Sequence, residues 1–323
     1  MSGFWRDRPV LVTGATGLLG GWLTQRLLTE GARPTCLVRD GVPTERTHLD
    51  GTLKRVAVVR GDVRDGALMR RIVSEYEVEV VMHLAAQTVV GVAAVNPAET
   101  FDVNVAGTWT LLDACRQSDR IRAVIFASSD KAYGIQPALP YTEEMPLLGC
   151  HPYDASKVAA EAVVQSFVSS FGTPAVITRC ANLYGGGDLN WNRLVPGTIR
   201  SLLRGDRPVI RSDGTLTRDY LYVEDAADAY VRLAEWVAGA RDRAGSVFNI
   251  STEQTSTVLE IVASVSKAMA IDLAPDIRGE ARLEILHQHL SAKLLMAKLG
   301  WAPRHDLADG MKQTVAWYRA YLS

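Results

Sequence analysis

The sequence predicts an α/β protein: a doubly wound parallel sheet with a smaller, interleaved C-terminal α/β lobe. Three observations predict it. Short β-branched runs alternate with helical stretches through residues 1–180, the spacing of βαβ units. The runs are apolar throughout rather than alternating, as expected for parallel strands buried on both faces. The first run leads directly into a glycine-rich turn and a helix start.

In chain order, strands are expected at Val10–Thr13, Thr35–Arg39, Val56–Arg60, Val78–Leu84, Arg122–Ser128 and Ala175–Arg179. Helices are expected between them at Leu18–Thr29, Ala67–Glu77, Ala98–Gln117 and Asp154–Phe171. Beyond residue 180 the rhythm changes. Ala181–Asp188 and Arg211–Arg218 are rich in Gly, Asn and Asp and read as long functional loops. Further helices are expected at Val223–Ala238, Thr257–Ala270, Ser291–Leu299 and Asp306–Tyr321, with Thr257 and Glu260 forming a capping box. Val247–Ile250 reads as one more strand returning to the sheet. A dinucleotide-binding domain is therefore expected over 1–180, with 223–250 returning to it. Residues 181–222 and 251–323 form the second lobe. The sequence shows no internal repeat and no low-complexity segment.

Composition excludes several classes. Of 323 residues, 22% are charged and 47% hydrophobic, which rules out a disordered chain, a collagen-like repeat and a coiled-coil rod. Lys plus Arg number 35 against 36 Asp plus Glu, so no electrostatic footprint for nucleic acid or an anionic membrane exists. Cys36, Cys115, Cys150 and Cys180 lack metal-ligand spacing and are expected as reduced thiols in a cytoplasmic protein. Met1–Asp7 carries no signal-peptide core. The most apolar stretch, Val78–Val95, is interrupted by Glu79, His83 and Gln87, so no membrane span is expected. His287 and His289 have no third ligand at suitable spacing; no metal is expected. Trp317, Tyr318 and Tyr321 read as helix packing.

The run Val10-Leu-Val-Thr-Gly14-Ala-Thr-Gly17-Leu-Leu-Gly20 carries the first chemistry. Gly14 permits a tight turn, Gly17 lets backbone approach a pyrophosphate, and Gly20 lets the helix pack closely on the strand. Free N–H groups and the positive helix end then face the phosphates. A plain tight turn is the alternative, and the strand–turn–helix context favours dinucleotide binding. The second strand ends Leu37-Val38-Arg39-Asp40. Arg39 can meet a 2′-phosphate or stack on adenine, Asp40 can take a ribose hydroxyl, and both fit solvated loop charges equally well. NAD and NADP both stay open here. Asp62 and Val63, after the third strand, can cap the adenine ring.

The second constellation is Tyr153-Asp-Ala-Ser-Lys157, which opens a helix after Pro152. Tyr and Lys four apart share a helix face. An ammonium beside a phenol favours the phenolate and makes it a usable base near neutral pH. Ser129, at the end of a preceding strand, can hold the same substrate oxygen. An exposed Tyr/Lys pair is the alternative; the glycine turn upstream favours catalysis.

At this point the chain resembles the extended short-chain dehydrogenases/reductases acting on nucleotide sugars. The matching pieces are Thr13–Gly20, His83-Leu-Ala-Ala-Gln87, Asn104-Val-Ala-Gly-Thr108, Ser128-Ser-Asp-Lys-Ala-Tyr-Gly134, Pro152–Lys157, Arg179-Cys-Ala-Asn-Leu-Tyr-Gly185 and Arg218-Asp-Tyr-Leu-Tyr-Val223. The resemblance implies a Rossmann domain with a tightly held nicotinamide cofactor, and a small lobe gripping a nucleoside diphosphate. It also implies a homodimer through two helices of the first domain. Cofactor contacts are implied for Gly14, Thr16, Gly17, Leu18, Leu19, Arg39, Asp62, Val63, Leu84, Ala85, Ala86, Gln87, Asn104, Tyr153 and Lys157.

Two reactions fit that resemblance. Both begin with Tyr153 taking the proton of the sugar 4-hydroxyl as hydride leaves C4. A 4-epimerase returns hydride to the opposite face of C4. A 4,6-dehydratase uses the 4-keto group to acidify C5, eliminates water across C5–C6 and returns hydride to C6. Elimination needs an extra acid and base. Asp130 can protonate the leaving 6-hydroxyl if burial keeps it protonated. Lys131 can take the C5 proton if desolvation favours its neutral form. Both also fit a surface turn after the strand. The Ser-Asp-Lys run resembles the CDP-glucose 4,6-dehydratases and the UDP-N-acetylglucosamine dehydratases. Gly20-Gly-Trp-Leu23 and Gly185-Gly-Gly-Asp188 with Arg193-Leu-Val-Pro196 further resemble the CDP-glucose group. The dehydratase is preferred, on a CDP- or UDP-hexose. For substrate, Arg218 is a candidate diphosphate clamp. Asn182 can donate to a phosphate oxygen, and Gln87, Arg193, Leu194 and Val195 are implied to line the substrate.

Overall fold

The central strands are apolar throughout because both of their faces meet apolar material. Residues 3–42, 45–280 and 285–322 are described in the computed structural model of the chain; Met1 and Ser2, at the start of the segment read for a leader, lie outside them. Pro9–Thr13, Val80–His83 and Ala175–Cys180 are buried at every position. Successive side chains enter different cores, as strand geometry requires. Val10, Val12, Val80, Met82 and Ile125 join one cluster. Leu11, Val81, Val124 and Phe126 join the other. Each such fully buried side chain contributes about 1.5–3 kcal/mol.

Among the described residues the main sheet has seven strands. Their spatial order is Val247–Ile250, Ala175–Cys180, Ala123–Ala127, Val80–His83, Pro9–Thr13, Arg33–Val38 and Ala57–Arg60. Every neighbouring pair is parallel. The chain order reverses between Pro9–Thr13 and Val80–His83, and a crevice opens at the carboxyl ends of strands at such a point. Thr13 lies opposite His83. The buried imidazole is held between the hydroxyls of Thr13 (2.9 Å) and Thr108 (3.1 Å). Burial pushes its pKa down to about 3, with the Lys157 charge adding to the effect. His83 is therefore a neutral strut at the switch point.

The helices expected at Leu18–Thr29 and Val223–Ala238 have those bounds and pack against each other. Strand ends shift by one or two residues, which is the usual scatter. The single helix expected over Ala98–Gln117 is broken, however. A helix at Pro97–Phe101, capped by Asn96, gives way to a π turn at Asp102–Ala106 and then a helix at Gly107–Arg116. A Cβ on Gly107 would stand 2.6 Å from Val63 Cγ1, so the chain runs tight against the third strand's exit there. The wide turn aims Asn104 inward. Apolar periodicity cannot register either constraint. A short helix also forms at Val90–Val95, where the sequence pattern predicts none.

The segments expected as loops each yield part of a second, small sheet. Asn182–Tyr184 pairs in parallel with Tyr220–Tyr222, and Thr217 begins the strand Thr217–Tyr222. Over this sheet, helices Leu194–Leu203, Val258–Met269 and Leu307–Leu322 pack around Ile199, Ile261, Val265, Met311 and Val315. The Thr257/Glu260 capping box is present, with both reciprocal bonds made. Among the described residues no helix is long and apolar enough to cross a membrane.

Candidate active site

A cavity of about 790 Å³ opens along the carboxyl ends of the central strands. The glycine turn forms its floor. Gly14 sits at φ +70°, and a Cβ there would meet the Leu84 carbonyl carbon and Ala85 nitrogen at 2.8 Å. A Cβ on Gly20 would lie 2.1 Å from the Gly14 carbonyl oxygen, so helix and turn are in direct contact. A Cβ on Gly17 would meet only the Gly14 oxygen at 3.4 Å, leaving that side of the turn open. Gly17 begins helix Leu18–Thr29 without a side-chain cap, so the helix start has unfilled donor capacity facing the cavity. This cradle fits a pyrophosphate. Gly20→Ala is expected to cost about 3 kcal/mol from the forced separation of helix and turn, read as a lowered melting temperature and loss of retained dinucleotide; an unchanged melt would contradict the contact.

Thr16, Leu18, Leu19, Arg39, Asp40, Asp62, Val63, Leu84, Ala85 and Ala86 all line this cavity. At one end of it Arg39 Nε bonds Asp40 Oδ2 at 2.7 Å, with both side chains mostly exposed. Asp62 is held by Arg64 at 2.9 and 2.8 Å, and that pairing keeps its carboxyl below the usual range. Glu45, passed over in the sequence because it stands in a loop with no periodic signal, also reaches the cavity and bonds Thr16. Burial pushes its carboxyl up.

Gln87 and Asn104 stand behind the cavity wall. Neither lines the cavity. Asn104, buried in the π turn, accepts from the Gln87 backbone N–H at 2.7 Å and donates to the Gln87 carbonyl at 3.1 Å and Ser156 Oγ at 2.8 Å. It therefore fixes the chain that forms the wall. The Gln87 side chain folds back on its own turn, bonding both polar groups of Val89.

Helix Pro152–Phe171 begins with Pro152, whose missing N–H costs nothing at that position. It places Tyr153, Lys157 and Glu161 one turn apart on a buried face. Tyr153 lines the cavity beside Ser129, Asp130 and Lys131. Lys157 does not. Its ammonium donates to the Ala127 carbonyl at 2.8 Å, because a buried cation must find an acceptor and that strand end is nearest. Burial draws its pKa down to about 8, against the Glu161 charge. The lowered phenol expected from the Tyr/Lys spacing is therefore not found at Tyr153. Burial pushes this phenol up to about 12, although the bond with Ser129 works in the other direction. Asp130 and Asp154 raise it further, and Arg193 opposes them.

Asp130 is 4% exposed. Burial raises its carboxyl above the usual range, offset by Lys131, the Ser129 hydroxyl and Arg218. Ser129 Oγ donates to Asp130 Oδ1 at 3.1 Å, which links the acid to the phenol's partner. Lys131 lines the same wall, half-buried. Behind this wall Glu161 and Arg179 form a buried ion pair at 2.6 Å, and Glu161 accepts from Ser128.

Asn182, Arg193, Leu194 and Val195 line the opposite side. The Asn182 Nδ2 is buried without a partner among the described residues, a donor left for a ligand. Arg193 Nη1 bonds Asp188 Oδ2 at 3.0 Å. Arg218 stands off the cavity, where Nη1 donates to the carbonyls of Thr217 and Leu286; its charge still reaches Asp130.

Comparison with known proteins gives consistent matches. A family model described as the NAD dependent epimerase/dehydratase family matches residues 10–251. The chain is 31% identical to a CDP-glucose 4,6-dehydratase of Salmonella typhimurium, covering 99% of this chain and 92% of that protein. It is also 31% identical to a UDP-glucose 4-epimerase of Mycolicibacterium smegmatis, covering 96% and 98%. Among solved structures, a dTDP-glucose 4,6-dehydratase from Streptomyces venezuelae with NAD bound superposes with a TM-score of 0.84 at 27% identity, covering 97% of each chain.

Proposed function

The chain belongs to the NAD dependent epimerase/dehydratase family, and from that membership we propose that it is a nucleoside-diphosphate-hexose 4,6-dehydratase. It is an enzyme with NAD as its cofactor. The observation that carries the dehydratase assignment is Asp130. An epimerase needs only a base at the 4-hydroxyl, whereas this cavity holds a buried carboxyl kept towards its protonated form, hydrogen-bonded to the serine that stands beside the phenol.

The glycine turn, Leu18, Leu19, Leu84–Ala86 and Val63 would hold the dinucleotide. When bound, NAD supplies a hydride acceptor for C4 and donor for C6, together with a positive charge that favours phenolate over phenol. Tyr153 takes the 4-hydroxyl proton, and Ser129 holds the same oxygen. Lys131 takes the C5 proton made acidic by the 4-keto group and returns a proton to C5 when C6 receives hydride. Asp130 gives its proton to the 6-hydroxyl as the C6–O bond breaks, so water leaves. Asn182 and Arg193 grip the diphosphate. Lys157 holds the strand end at Ala127 and keeps the phenol's helix in register.

The substrate we assign is a CDP- or UDP-hexose, supported by likeness to a CDP-glucose 4,6-dehydratase. Incubation with CDP-, UDP-, dTDP- and GDP-hexoses is expected to yield a 4-keto-6-deoxy sugar, detected by near-ultraviolet absorbance in alkali and by mass. Formation of a C4 epimer alone would decide for the epimerase, the activity in the name of another relative. We further assign a homodimer in the cytoplasm. Val92, Val95 and Trp109 are exposed on the helices packed beside the phenol's helix and offer apolar side chains to a second copy. The four cysteines are unpaired, in keeping with a reducing compartment.

A further inference from the structure

The two glycine-rich segments of the sequence meet in space. Trp22 lies on the first helix, one turn beyond the glycine cradle, and its indole N–H donates to the Gly186 carbonyl at 2.8 Å. Arg46 lays its guanidinium over the Trp22 ring at 4.0 Å. Its own side chain is clamped by Gln25 and Asp50. Arg46 and the last helix then close on the loop from both sides. A Cβ on Gly187, at φ +95°, would meet Arg46 Cδ at 2.6 Å, and one on Gly186 would meet Trp317 Cγ at 2.4 Å. The next residue, Asp188, accepts from Tyr318 at its carbonyl. Its carboxylate accepts from the Asn190 backbone at 3.1 Å and from Arg193 at 3.0 Å. An unbroken set of contacts therefore runs from the cofactor-bearing helix, through a loop with no room for side chains, to an arginine on the far wall of the cavity.

We propose that Trp22 and Arg46 are positioning residues that hold the Gly185–Asp188 loop and thereby set Arg193 over the nucleotide-sugar end of the cavity. Neither touches the cavity. The loop is glycine because its neighbours occupy the Cβ volume, and it is positioned because Trp22 and Asp188 pin it at both ends. The grip on the substrate is thus registered to the same helix that receives the pyrophosphate. The inference rests on the assignment of Arg193 to the nucleotide sugar, and the test separates the two.

Trp22→Phe keeps a six-membered ring beneath Arg46 and removes the indole N–H together with the volume of the five-membered ring. With the CDP- or UDP-hexose turned over in the product assay, it is expected to raise KM about two- to tenfold, the net worth of one hydrogen bond. kcat and the NAD retained after gel filtration should stay unchanged. Arg193→Ala, measured alongside, should raise KM at least as much. A normal KM for Trp22→Phe beside a raised KM for Arg193→Ala overturns the tie alone. A normal KM for Arg193→Ala overturns the placement of Arg193, and the tie falls with it. A fall in kcat, NAD content and melting temperature together for Trp22→Phe would mark general packing and overturn the proposal.

Discussion

Tyr153→Phe is expected to lower turnover by about 10²- to 10⁴-fold while NAD stays bound, the range for loss of a positioned general base. The substitution keeps the ring in a site only 7% exposed, so packing is retained and only the oxygen goes. Ser129 keeps its second partner, Asp130, so the wall should hold its shape. The phenol sits at about 12 in the chain, pushed up by burial. The proton-accepting form is therefore scarce at neutral pH without an added positive charge, and the wild-type rate of the C4 oxidation step should rise with pH as that form increases. Initial rates across pH, with NAD read from the absorbance of gel-filtered protein, check both statements. Near-normal turnover in the variant would remove Tyr153 from the base role.

Asp130→Asn is expected to separate two halves of the reaction. The amide has nearly the same shape and can still accept from Ser129, but it has no proton to give. Water loss at C6 should fall by about 10²- to 10⁴-fold. In heavy water, exchange of the C5 proton, which depends on Tyr153 and Lys131, should persist. The pH dependence follows from the direction of the shift. Burial raises this carboxyl, and the acid works only while protonated. Elimination should therefore weaken as pH rises through its folded pKa, a limb absent from the variant. Mass spectrometry of the sugar reads both events. A normal rate of 6-deoxy product from Asp130→Asn would eliminate Asp130 as the acid and return the balance to epimerisation.

Much of this site is legible along the chain because its parts are local. Gly14, Gly17 and Gly20 act within one strand–turn–helix, where backbone sterics among near neighbours decide the shape. Tyr153 and Lys157 share a face because a helix repeats every 3.6 residues. Asp130 follows directly on a buried strand, so its burial can be anticipated. Partner choice is different. Whether Lys157 turns to the phenol or to the Ala127 carbonyl depends on which acceptor the neighbouring strand presents. Arg39 and Asp40 fit cofactor contacts and solvated loop charges equally well in the sequence, and the fold pairs them with each other. Asn104 is implied by the resemblance as a cofactor contact, and a π turn that periodicity cannot detect ties it to the Gln87 backbone.

The amino-acid sequence by itself determines the doubly wound sheet, the phosphate cradle and the set of residues able to do acid–base chemistry. These follow from apolar patterning, glycine sterics and short spacings, all of which act over a few residues. Only the tertiary structure decides which buried charge meets which acceptor, that Asp130 is held towards its protonated form, and that Trp22 reaches a carbonyl 164 residues away. A desolvated polar group must take the partners the packed fold brings within about 3 Å, and that distance is a property of the assembled layers.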